Sequence, residues 1–277
     1  MSKSFMVAMV VLALCAASYA QRPWVPHHYM LHATISHHAG TATVKADAAD
    51  PLADAITAVS EEYGWVVDYE DPPYSGTDLT IHPSVGPGLQ PYTIVAGGAF
   101  QSTYPEAPSM GSSRAAELTA LEKIVSDYNA SGNPGDFTVM SLPDGNYDVV
   151  GISTRDNSGG LVSVKPLLST IISIPSEPRD ISGVVGAIFS AVGVKRLAFF
   201  CPTCAAVGAA KITVGGSNVP ARDILMQIAD LGDVAVGWSL VYDPTPTSTY
   251  DFGLGPAERA EYNSFGQKTL VPVLRTQ

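Results

Sequence analysis

The sequence predicts an α+β fold built from two small modules of β-α-β-β-α-β kind, each packing its helices on one face of a mixed sheet. Three observations lead there. First, Lys211 to Pro244 passes from an alternating strand through a Gly-Gly-Ser-Asn turn into an amphipathic helix, then into a second strand ending at Tyr242-Asp243-Pro244. Second, Leu167 to Phe200 shows the same strand–helix–strand order immediately before it. Third, Pro51 to Pro72 carries a weaker echo of the helix–strand half.

Length and composition set the bounds. The chain has 277 residues, 46% hydrophobic and 15% charged, which suits one large or two small domains with a sizeable core. A net charge of −11, with no basic run longer than Lys195-Arg196, argues against nucleic acid and against an anionic membrane surface. Lys3, an apolar run from Phe5 to Leu14 and the small-x-small ending Ser18-Tyr19-Ala20 read as a signal peptide over residues 1–20. The run is too short to span a bilayer, and no integral membrane span is expected in the mature chain. The expected location is therefore periplasmic or extracellular. A lipoprotein signal at Cys15 is the competing reading, disfavoured by the bulky Leu14 before it.

Residues 21–49 read as a His-rich N-terminal arm without sustained periodicity. It holds His27, His28, His32, His37 and His38, a cluster that makes metal binding a minor hypothesis. A first module is expected over residues 50–160. Asp50 caps a helix with Pro51 at its first position, Leu52, Ile56, Val59 and Tyr63 form its apolar stripe, and Gly64 ends it. Trp65 to Tyr69 follows as a strand. Leu79 to His82 and Tyr92 to Ala96 are short strands among Pro- and Gly-rich loops. Leu118, Leu121, Val125 and Tyr128 mark a helix from Ser112 to Asn129. Asp136 to Ser141 and Asn146 to Ser153 flank Leu-Pro-Asp-Gly as a hairpin.

The second module is expected over residues 166–244. Leu167 to Ile174 is a strand, and Ile181, Val184, Ile188 and Val192 trace a helix that Gly193 terminates. Arg196 to Phe200 leads as a strand into Cys201-Pro-Thr-Cys204. Helix Pro220 to Leu231 and strand Val236 to Tyr242 complete the unit, leaving a C-terminal tail over 245–277 with one further strand near Thr269 to Leu274. Setting Pro51 on Pro220 brings Trp65 onto Trp238 and Tyr69 onto Tyr242, which points to a module used twice.

The stretches ISIPSEPRDISGVVGAIFSAVG and KITVGGSNVPARDILMQIADLG resemble the short N-terminal domain shared by secretins and TonB-dependent transducers. The likeness covers about residues 167–242, with a half-match at 50–72. It implies a non-catalytic envelope module that docks onto protein partners. This chain departs from the family in that no β-barrel or secretin core follows the module.

Chemistry elsewhere is sparse. Cys201 and Cys204 read as a disulfide staple, with redox activity or metal binding as alternatives. Outside the arm the only histidine is His82, and no G-x-S-x-G or S-x-x-K motif occurs. The pairs Glu61-Glu62 and Glu70-Asp71 read as solvated surface, although an unrecognised carboxylate pair would support hydrolysis. Gly97-Gly98 and Gly215-Gly216 match no phosphate loop, so no cofactor is expected. Trp65, Tyr69, Trp238 and Tyr242 are candidates for a binding surface, weighed against a role in the core. The leading expectation is an exported, non-catalytic interaction protein of the cell envelope. An exported redox or hydrolytic enzyme and metal capture by the His-rich arm are the alternatives.

Overall fold

Alternation of small and apolar residues in TATVKA buries Ala42, Val44 and Ala46 on one side, enough to form a strand inside what the sequence suggested was an irregular arm. The computed structural model describes residues 33–47, 50–82, 92–106, 113–143, 145–201, 211–231, 233–244 and 249–275. The leader, Cys15, His27, His28, His32 and Cys204 lie outside the described residues. Strands β1 (Thr34–His38) and β2 (Thr41–Ala46) form an antiparallel hairpin. The arm thus becomes regular from Thr34 onward because its apolar side meets the next helix.

Helix α1 (Pro51–Tyr63) opens on proline and closes on Gly64 in the left-handed region at φ 73°. It leads to β3 (Val67–Glu70). A small antiparallel pair follows, β4 (Leu79–His82) with β5 (Tyr92–Val95), and then β6 (Phe100–Pro105) returns beside β2. Helix α2 (Arg114–Ala130) passes into the hairpin of β7 (Asp136–Ser141) and β8 (Tyr147–Arg155), with β9 (Leu161–Ser163) on the end of β8.

The second half repeats this connectivity. Strand β10 (Ile171–Arg179) leads into α3 (Ile181–Val192), whose first turn is capped by Asp180 accepting from the Gly183 amide at 2.6 Å. After β11 (Leu197–Phe200), β12 (Ile212–Pro220) pairs antiparallel with β10. Helix α4 (Ala221–Ala229) then passes into the hairpin of β13 (Val236–Tyr242) and β14 (Tyr250–Pro256). The element order β-α-β-β-α-β over Ile171 to Tyr242 is the expected one. Strand β14 is new, because the expected tail begins at residue 245. Its glycines obscure the strand signal, yet Gly253 is needed there: a Cβ would stand 2.9 Å from Ser239 Oγ. The chain closes with a hairpin of β15 (Glu258–Tyr262) and β16 (Lys268–Pro272), docked on α1 through Tyr262 to Glu62 and Lys268 to Glu61.

Both halves feed one central sheet of order β11-β14-β13-β3-β8-β7. In the first half β3 runs parallel to β8 and β8 antiparallel to β7. In the second, β11 runs parallel to β14 and β14 antiparallel to β13. The registers agree residue by residue: Val67 and Asp68 face Tyr147 and Asp148, while Leu197 and Ala198 face Tyr250 and Asp251. The matching helices are therefore α1 with α3 and α2 with α4. This differs from the alignment of Pro51 on Pro220, which equates α1 with α4.

The halves join where β13 runs parallel to β3, Ser239 opposite Tyr69 and Leu240 opposite Glu70. Tyr69 belongs to the core under α1 and α2, and Leu240 to the core under α3 and α4. Since Leu240 shares a face with Glu70, and Glu70 points away from Tyr69, the two helix pairs occupy opposite faces of the sheet. One half maps onto the other by a half-turn about an axis across the strands plus a shift along that axis.

Because the join lies inside a continuous sheet, both halves are expected to unfold in one urea transition. In β8, Gly151 faces the chain at Pro72, where a Cβ would lie 2.3 Å from Cδ and 2.5 Å from N. Gly151→Ala is expected to lower stability by about 1–3 kcal/mol, read as a lower urea midpoint for circular dichroism at both helix and aromatic wavelengths.

A buried carboxylate cluster at the join as candidate functional site

The sequence DYED at 68–71 runs through β3 and one residue beyond it. Alternation sends Tyr69 into the first core, while Asp68 and Glu70 face the opposite side. Asp68, Glu70, Asp71 and Asp148 all have 0% exposure. Each of them helps to hold one part of the chain against another.

Asp68 Oδ1 accepts the Trp238 amide at 2.8 Å. Asp71 Oδ2 accepts the Tyr242 amide at 2.9 Å, and its own amide donates to the Leu240 carbonyl at 2.9 Å. Its Oδ1 accepts the hydroxyls of Tyr69 at 2.6 Å and Tyr74 at 3.0 Å. Glu70 Oε1 accepts the Leu168 amide at 3.0 Å, and Oε2 pairs with Arg222 Nη2 at 2.8 Å. Arg222, in the first turn of α4, also sets Nε 2.5 Å from Asp148 Oδ2. One guanidinium thus ties the second half to two strands of the first.

Burial shapes the acidity. Loss of water raises Glu70 to about 7 against the downward pull of Arg222 and the Leu168 amide. Burial likewise raises Asp71 to about 8, with the charge of Asp50 adding to it. Asp148 is raised to about 6 by burial, opposed by Arg222. A carboxyl group near neutral acidity is what general acid–base chemistry requires. These groups, however, are enclosed: Glu70 and Asp71 bond to amides, phenols and a guanidinium of the fold, and Asp148 is ion-paired with the same guanidinium. The arrangement holds the two halves in register.

Another buried acid, Asp78, works the same way. Asp78 accepts the Thr154 hydroxyl at 2.8 Å and the Arg155 amide at 2.6 Å, and pairs with Arg155 Nη1 at 3.0 Å. It fastens the loop after β3 to the end of β8.

The residues singled out in the sequence fall as follows. Trp65 is buried and stacks on Tyr63 at 4.7 Å between ring centroids. Tyr69 is buried against Phe137, and Trp238 is buried in the second core. Tyr242 is half-buried between Tyr74 and Tyr250 at the boundary of both cores. These aromatics pack the interior rather than a contact surface, because each lies beneath helices or loops of its own chain. His37 lies between Glu106, 2.8 Å from Nδ1, and Glu62, 3.2 Å from Nε2, and the side chain of the neighbouring His38 is exposed. Among the described residues no group of three His, Cys, Asp or Glu gathers to hold a metal. Cys201 follows directly on β11.

Glu70-Asp71 is a correction: the pair read as solvated surface is fully buried. The missed signal was a run of three acids and a tyrosine on a short strand, matched by a single distant arginine at the start of an apolar helix. Comparison with known protein families, curated proteins and solved structures finds no match to the chain.

The cluster fixes the sign of the pH dependence. Ordinary values of 3.8 and 4.5 in the unfolded chain rise to about 6, 7 and 8 on folding, so the folded state holds more protons in between. Stability from these groups therefore falls as pH rises from about 4 to about 8. Asp71→Asn should flatten that slope in urea titrations at stepped pH. Arg222→Leu is expected to cost about 3–5 kcal/mol near pH 8 and distinctly less near pH 5, where Glu70 and Asp148 take up protons.

Proposed function

We propose that this chain is an exported, non-catalytic protein of the cell envelope that acts by binding other proteins through the edges of its central sheet. The observation that carries the reading is that, among the described residues, the sheet ends on two strands, β7 and β11. A terminal strand presents backbone donors and acceptors to which an extended segment of a partner adds, with side-chain pockets setting specificity.

Strand β7 is the better defined of the two. The Asn129 side chain satisfies the outward amide and carbonyl of Phe137, each at 2.9 Å. By alternation the next outward groups belong to Val139 and Ser141, beside Met140, which is 38% exposed. The short basic-then-apolar leader in the sequence supports export, and in an oxidising compartment Cys201 and Cys204 would pair as a disulfide beyond the end of β11. Enclosure of the near-neutral carboxylates supports the non-catalytic part of the reading. The resemblance to the secretin and transducer N-terminal domain, over about residues 167–242, points the same way.

Affinity capture from the native envelope fraction tests this, comparing wild type with Val139→Pro. Proline is tolerated where a strand's amide faces outward, so the fold should stand while strand addition at β7 is lost. Wild type is expected to retain envelope proteins that the variant loses by at least about tenfold, which corresponds to about 1.4 kcal/mol. Equal capture by both would remove β7 from the binding surface.

A further inference from the structure

We propose that the partner for these edges is a second copy of the same chain, added head to tail so that β7 of one copy pairs in parallel with β11 of the next. The inference rests on the interaction reading above and names its partner. It follows from the way the two halves already meet.

Within one chain, the last hairpin strand of the second half, β13, pairs in parallel with the first sheet strand of the first half, β3. Register equates β13 with β7: Leu240 faces Phe252 as Val139 faces Val149, and Tyr242 faces Tyr250 as Ser141 faces Tyr147. Register also equates β3 with β11, Tyr69 corresponding to Phe199 and Glu70 to Phe200. The terminal strands are therefore the same two surfaces that form the internal join. Strand directions agree as well, since β7 and β11 run the same way in the sheet. Applying the half-turn and shift once more sets β11 of a new copy beside β7, with Thr138 opposite Phe199 and Val139 opposite Phe200.

The side chains suit a lasting contact without charge. At the internal join the Trp238 amide needs Asp68 as acceptor. At β7 the equivalent Phe137 amide already has Asn129, and the position equivalent to Asp68 on β11 is Ala198, which has no carboxylate to bury. Where the join has Glu70, β11 presents Phe200, 42% exposed. Where the join has Val241, packed against the neighbouring half's core, β7 presents Met140, 38% exposed. Apolar side chains thus stand on both edges at the positions that the internal join covers. Because the two surfaces differ, the contact is heterologous, and repetition gives an open chain of copies or, with enough twist, a ring.

Sedimentation velocity over a concentration series tests the proposal, with circular dichroism confirming that each variant folds. Wild type is expected to form a ladder of oligomers that grows with concentration. Val139→Pro blocks the β7 edge, and Phe200→Lys places a charge on the β11 edge; each alone should stay monomeric. Their equimolar mixture should form dimers and nothing larger, because each supplies one working edge. Wild type that stays monomeric, a folded mixture that does not dimerise, or dimers formed by one variant alone would overturn head-to-tail assembly. If wild type stays monomeric yet still retains an envelope protein that Val139→Pro loses, self-assembly falls while the interaction reading stands. If wild type neither assembles nor captures, both fall.

Discussion

Everything in the central sheet depends on the short parallel contact between β3 and β13. Its backbone register covers only Ser239 with Tyr69 and Leu240 with Glu70. So short a ladder leaves flanking amides without carbonyl partners, and a buried amide lacking a partner costs on the order of 1–3 kcal/mol. Asp68 and Asp71 answer this by accepting the amides of Trp238 and Tyr242 on either side of the rungs. The carboxylates extend the pairing beyond the reach of the strand itself. A carboxylate charge in a dry interior is unfavourable, and that accounts for the raised pKa of Asp71 and the tyrosine hydroxyls gathered around it.

Arg222 adds what backbone pairing cannot. A buried ion pair contributes little net stability over a well-packed apolar substitute, but breaking it leaves an uncompensated charge. By facing Glu70 on β3 and Asp148 on β8 from the first turn of α4, it penalises any sliding of the second half against the first. Register in a parallel pair of two rungs would otherwise be weakly specified. The cluster is thus better understood as a device for alignment than as a source of stability.

Helices were legible because their boundaries are written locally. Pro51 and Gly64, or Asp180 and Gly193, bracket apolar stripes whose burial follows from 3.6-residue spacing, whereas the Asp50 side chain makes no capping hydrogen bond to its helix. Strand β14 was not legible, since Gly253, Gly255 and Pro256 read as loop until the neighbouring Ser239 explains the first of them. Nor could Glu70-Asp71 be placed inside, because its partners are Arg222 and Tyr242, more than a hundred residues away in sequence. Aligning Pro51 with Pro220 followed a real likeness of helix and aromatic strand. Strand order alone shows that Asp50 to Glu70 corresponds instead to Asp180 to Phe200.

The two halves also show how one edge problem is solved twice. At β13 the amide of Trp238 is met from across the join by Asp68; at β7 the equivalent amide, on Phe137, is met from within the half by Asn129 of α2. The second solution lets β7 stand with β8 as its one neighbour among the described residues, since a polar side chain occupies the groups that would invite indiscriminate pairing. It covers only one rung. Val139 and Ser141 correspond to Leu240 and Tyr242, the residues whose backbone carries the internal join. A protein selected purely for isolation would be expected to charge or cover those positions, yet β7 holds an exposed Met140 between them and β11 an exposed Phe200. The edges are protected where pairing would be promiscuous and left apolar where the chain's own join shows how a partner fits.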